Sequence, residues 1–83
     1  MTIENRLSFM EKTRTIAYYI VCTKSTKTST IQRKFGYHFN TCSEVIEILE
    51  RLGIISNFDV IKNERRVLVG SIEELEEKLD FYF

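Results

Sequence analysis

The side chains in this 83-residue sequence best suited to metal ligation or nucleophilic attack are Cys22, Cys42 and His38. They lack C-x-x-C spacing, and three candidates fall short of the four ligands of a closed zinc site. A Cys–His nucleophile needs a third group to orient its base, and nothing in the spacing supplies one. Glu73, Glu74, Glu76 and Glu77 crowd one short stretch. They read as the solvated face of a helix, not as an acid–base pair in a pocket. Gly36, Gly53 and Gly70 are too scattered to cradle a phosphate, and no G-x-x-x-x-G-K-[ST] occurs. No catalytic residue, metal ligand or cofactor is expected, and the chain reads as a non-enzyme.

The charges suggest a different chemistry. Net charge is zero, yet residues 12–43 hold six basic side chains (Lys12, Arg14, Lys24, Lys27, Arg33, Lys34) and no acid. Residues 71–83 hold five acids against Lys78 alone, so residues 1–70 sum to +4 and the tail to −4. An acid-free basic stretch points to a polyanionic partner. The alternative is a solvated surface with a chance gap in acids.

Few elements are available to position these residues. A mass of 9.9 kDa bounds one domain, expected over residues 1–83. An apolar content of 43% supports a core and argues against disorder. The longest apolar run, residues 16–22, is far below the roughly 20 that span a bilayer. The first residues lack a signal-peptide pattern, and two cysteines suit a reducing compartment. A cytoplasmic protein with no membrane partner is expected.

Periodicity predicts a first helix over residues 3–21, with Ile3, Leu7, Met10, Ile16, Ala17 and Ile20 on one stripe. Whether it breaks near residues 11–13 stays open. Residues 23–30 carry no apolar side chain and read as a loop. Ser29 and Gln32 have capping-box spacing, predicting a short helix over 30–35. Thr41 and Glu44 repeat that spacing, and a third helix opens near Asn40 or Thr41. Its inner stripe is Cys42, Val45, Ile46, Leu49 and Leu52, and Gly53 supplies the stop. Then the period changes. Ile54, Ile55, Phe58 and Val60 read as one strand and residues 65–69 as its partner, with the hairpin tip at 62–64. Ser71 and Glu74 open an acidic amphipathic helix over 71–83, with Ile72, Leu75 and Leu79 inward. The order describes an α+β, mostly helical, winged helix-turn-helix: a three-helix core plus a β-hairpin wing, with an added C-terminal helix.

Gln32-Arg-Lys-Phe35, then Phe39-Asn40, Leu49-Glu-Arg-Leu-Gly-Ile-Ile55 and Arg65-Arg-Val-Leu-Val69 resemble the gamma domain that ends FtsK/SpoIIIE-type bacterial DNA translocases. That family reads S-x-x-x-Q-R-K/R-F/L, G-Y-N-R-A, L-E-x-x-G-I-I/V and R-E-V-L-V. The likeness covers residues 13–70 as a core, without the motor. It implies a winged-helix fold, binding to short oriented duplex DNA sequences and a link to chromosome segregation. Two family basic positions on the third helix are Thr41 and Glu44 here. Arginine bidentate to guanine is the commonest specific contact, so the family's guanine-rich signal is not expected to be preferred.

The expected double-stranded DNA contacts are therefore Gln32, Arg33 and Lys34 on the second helix, His38, Asn40, Thr41 and Ser43 at the start of the third, and Lys62, Arg65 and Arg66 on the wing. Arg33 and Lys34 would meet phosphates, which position without reading sequence, and Asn40 and Thr41 would reach bases. Gln32 and Asn40 have a competing use as helix caps. Arg65 and Arg66 alternate along a strand, so at most one faces DNA. A protein-interaction or dimerisation module with little DNA binding is the alternative function. The terminal stripes, Ile3, Leu7 and Met10 with Ile72, Leu75 and Leu79, need covering, and the expectation is a homodimer through the terminal helices, the alternative being an intramolecular cap of the last helix on the first in a monomer.

Overall fold

The computed structural model describes residues 3–82, with side-chain surroundings for residues 8–81. Four helices follow in order: α1 (Ile3–Thr23), α2 (Thr28–Phe35), α3 (Phe39–Arg51) and α4 (Ile72–Tyr82). α1 runs without a break. It ends where Thr23 turns its hydroxyl back onto the Tyr19 carbonyl, and Lys24 enters the left-handed region at φ 64°. The Lys24 N–H still reaches the Ile20 carbonyl at 2.7 Å.

The core is one cluster. Ile16, Ala17, Ile20 and Val21 of α1 meet Ile31 of α2, and Cys42, Val45, Ile46 and Leu49 of α3. Ile54, Ile55 and Val69 from the following loop and Leu75 and Leu79 of α4 complete it. The expected α3 stripe is thus the buried one, with Ile48 added and Leu52 half-buried at its edge.

The α2–α3 turn is held from both sides. Gly36 takes φ 71°, a conformation that costs an L side chain roughly 1–2 kcal/mol, and its N–H caps α2 on the Gln32 carbonyl. Phe35 stacks on Tyr37 at 5.5 Å between ring centroids and meets Tyr19 edge-on at 5.3 Å. Lys12 of α1 lies 5.2 Å over the Tyr37 ring, which anchors the turn to α1.

The expected α+β winged helix-turn-helix does not form: among the described residues the regular elements are four helices, and no strand appears. Two isolated antiparallel bridges, Ile55 with Val67 and Asp59 with Glu64, stand where the hairpin wing was expected. The reason is local. Three residues, 56–58, lie opposite only two, 65–66, so the ladder loses register as at a bulge. Ser56 then diverts the bonding: its hydroxyl accepts the Arg66 N–H at 2.8 Å, and its carbonyl accepts from the Arg65 guanidinium at 3.2 Å.

Two of the three expected capping boxes are also absent. α2 and α3 both start earlier than expected, so Ser29 and Thr41 fall inside their first turns instead of before them. The third is present in altered form. The Glu74 N–H donates to the Ser71 hydroxyl at 3.2 Å, and the Glu74 carboxylate reaches back to the Gly70 N–H at 3.0 Å.

α4 packs on α1 of the same chain, which leaves Leu75 and Leu79 with no exposed surface. Arg14 pairs with Asp80 at 3.0 Å, and the Tyr18 hydroxyl donates to the Glu76 carboxylate. The expected homodimer through the terminal helices therefore loses the apolar α4 face on which it rested. Of the other half of that expectation, Ile3 and Leu7 lie outside the residues whose side chains are described, and Met10 is half-buried. No helix among the described residues is long and apolar enough to cross a membrane.

Candidate nucleic-acid interface

α2 and α3 share an unusual feature at their N-terminal ends. The cap positions are Lys27 and His38, both extended, and neither makes a side-chain capping bond. Neither first turn contains an acid. The first N–H groups of each helix thus have no side-chain acceptor among the described residues and sit at the positive end of the helix dipole. This is the arrangement that favours a bound anion.

Around the α2 end the chain forms a groove of about 430 Å³, lined by Thr26, Lys27, Thr28 and Ser29 on one side and by Phe58, Asn63, Glu64 and Arg65 on the other. Thr26 ties the walls together through a 3.1 Å bond to the Arg65 carbonyl. A second groove, about 420 Å³, runs from Ser29 past Gln32 and Arg33 to Gly36 and Tyr37. Ser29 belongs to both, so one surface leads from the 58–65 loop along α2 to the turn that starts α3.

Of the expected contacts, Gln32, Arg33 and Arg65 line these grooves. Arg33 and Lys34 are exposed in the last turn of α2, and Gln32 is half-buried beside them. His38 and Asn40 are exposed at the start of α3, while Thr41 and Ser43 are half-buried there. Lys62 and Arg66 are exposed on the loop. Arg65 is committed elsewhere: its guanidinium meets the Glu50 carboxylate at 2.6 Å and the Ser56 carbonyl, with only 20% of its side chain exposed. Of the two loop arginines, Arg66 is the one left facing solvent. Glu50 is occupied by the same pair, but Glu44 and Glu47 remain exposed along α3. Within α3, only the first turn is free of acids, whereas α2 carries none along its length.

Three features escaped the sequence reading. Lys27 and Thr28 form the open end of α2, within a stretch whose composition reads as a loop. Phe39 is 57% exposed, although the α3 period aligns it with Cys42 and Ile46. Nothing in the sequence marks it, because its exposure depends on how far the first turn stands clear of the core. Val60 and Ile61 are 82% and 96% exposed on the loop tip. The Asp59 carboxylate fixes that tip by accepting the Ile61 and Lys62 N–H groups.

The soft ligands are not brought together. Cys22 is exposed at the end of α1, whereas Cys42 is buried under α3, and burial pushes its thiol pKa up. A thiol held protonated in the core is unreactive. Among the described residues, no group of three or more His, Cys, Asp or Glu side chains is placed to hold a metal.

No family model, curated protein or solved structure matches the chain.

Proposed function

We propose that the protein is a non-enzymatic binder of double-stranded DNA, docking through the first turn of α3 with α2 alongside. The observation that carries the reading is the pair of acid-free, uncapped N-terminal ends at Lys27 and His38. Each offers free backbone N–H groups to phosphate, and Arg33, Lys34, Lys62 and Arg66 are exposed cations of the same chain. The resemblance of residues 13–70 to the translocase gamma domain supports the same reading. Contacts of this kind are phosphate-directed and sequence-independent. Log affinity for duplex DNA should therefore fall with log salt by roughly 0.9 per phosphate neutralised. Arg33→Ala should weaken binding to all sequences alike and flatten that slope by about one unit. A gel shift at two salt concentrations tests this, and no binding to any duplex at low salt would sink it.

The exposed Val60–Ile61 tip favours a second reading, a protein-interaction module. Under that reading Ile61→Ser would abolish partner binding, and Arg33→Ala would leave it unchanged.

A further inference from the structure

Independently of the DNA reading, we infer that the chain binds a second copy of itself head to tail. The Val60–Ile61 tip of one copy seats in a groove between the end of α3 and the end of α4 of the next. Among the described residues, the most exposed large apolar side chains are Ile61, Phe81 and Val60, at 96%, 92% and 82%. They fall at two separate places. Val60 and Ile61 stand on the loop tip that Asp59 braces through the Ile61 and Lys62 N–H groups. A braced tip is already ordered, so seating it costs little further chain entropy. Phe81 stands near the end of α4, where it lines a groove of about 270 Å³ with Leu52, Glu77 and Lys78. At these exposures the described residues of one copy cover neither the tip nor the Phe81 ring. A protruding apolar side chain and a pocket elsewhere on the same surface make a heterologous contact, which repeats from copy to copy unless it closes into a ring.

Charge selects a second copy as the occupant and sets the direction. The chain has no net charge, so copies approach without overall repulsion. Its two parts are opposite in sign. Residues 1–70, which hold the tip, sum to +4, and residues 71–83, which hold Glu77, Lys78 and Phe81, sum to −4. Head-to-tail docking sets opposite parts against each other, whereas tip on tip or groove on groove would set like parts together. Two tips are also both convex and offer each other no recess. The pattern repeats at the contact itself. Asp59 and Lys62 bracket the apolar pair of the tip, and Glu77 and Lys78 stand beside Leu52 and Phe81 in the groove. Lys62 can meet the second copy's Glu77 while Asp59 meets the second copy's Lys78. Unlike a dimer through the terminal helices, this contact leaves Leu75 and Leu79 buried within their own chain.

The experiment is sedimentation of the full-length chain, without DNA, over a rising concentration series. Average mass should climb with concentration and fall back when salt screens the opposite parts from each other. Ile61→Ser and Phe81→Ser should each weaken association at least roughly tenfold. Both positions are exposed, and circular dichroism checks that each variant is folded. Mixed in equal amounts, the two variants should associate again, but only to the mass of two chains. One supplies the intact groove and the other the intact tip, so a single contact forms and nothing extends it. A monomeric mass at every concentration would overturn this inference and leave the DNA reading standing. Association that survives either substitution, that salt leaves unchanged, or that mixing fails to restore would overturn it as well.

Discussion

At the start of α4, Ser71 accepts the Glu74 N–H, the Glu74 carboxylate accepts the Gly70 N–H, and Glu73 adds a second acid to the first turn. At the starts of α2 and α3, Lys27 and His38 hold the cap position without a side-chain bond, and the first turns carry no acid. All three ends face the same physical requirement, four N–H groups and a positive dipole without internal partners. α4 meets it from within the chain. α2 and α3 leave it to solvent or to a ligand, and they do so within the acid-free residues 12–43. The difference separates a helix that completes the fold from two whose ends are available for binding an anion.

The largest effect should come from the structural side. Leu79 is fully buried between α4 and α1, so Leu79→Ala should cost about 2–5 kcal/mol in urea unfolding. A negligible change would mean that α4 is an appendage and that the comparison has no structural half. Smaller effects sharpen the contrast. Ser71→Ala removes a working cap and should cost about 1 kcal/mol. Ser29→Ala touches no capping bond and should stay within roughly 0.5 kcal/mol. Equal losses at the two serines would erase the distinction. The smallest effect lies at high pH. The hydrogen bond to Glu76, followed by desolvation and the nearby carboxylate charges, raises the Tyr18 pKa above its ordinary value of 10.0, with Arg14 opposing. The neutral phenol is the form favoured by the fold. Its stabilising effect is therefore complete below pH 10 and is lost as pH climbs through the raised value. Melting temperature should decline on that side, and Tyr18→Phe should remove this part of the decline.

The helical half of the fold was legible because its signals are local. The Cys42–Val45–Ile46–Leu49 stripe has one periodicity whatever surrounds it, and Gly36 and Gly53 sit where the backbone takes φ 71° and 76°. Ser71 and Glu74 could be read as a cap because their helix begins where that spacing requires. Ser29 with Gln32 and Thr41 with Glu44 have the same spacing, but packing extends α2 and α3 past them. Residues 54–69 misled for another reason. Their alternation suits a hairpin, but one extra residue breaks the register, and although the Ser56 N–H still donates to the Arg66 carbonyl, its hydroxyl and carbonyl bond outside the ladder. Among the candidate contacts, the charges at Arg33 and Lys34 were readable. The ion pair from Arg65 to Glu50 was not, because it joins residues 15 apart through the fold.

DNA binding is proposed at the open end of α3, and His38→Asp tests it most directly. His38 already has the extended backbone of a cap residue, at φ −63° and ψ 147°, so aspartate there should accept a first-turn N–H and stabilise α3 by about 1 kcal/mol. The same carboxylate would occupy the donors proposed for phosphate and repel it. Measured together on the full chain, the melting temperature should rise while affinity for duplex DNA at low salt collapses. A stabilised variant that binds duplex DNA as tightly as the natural chain would contradict the account.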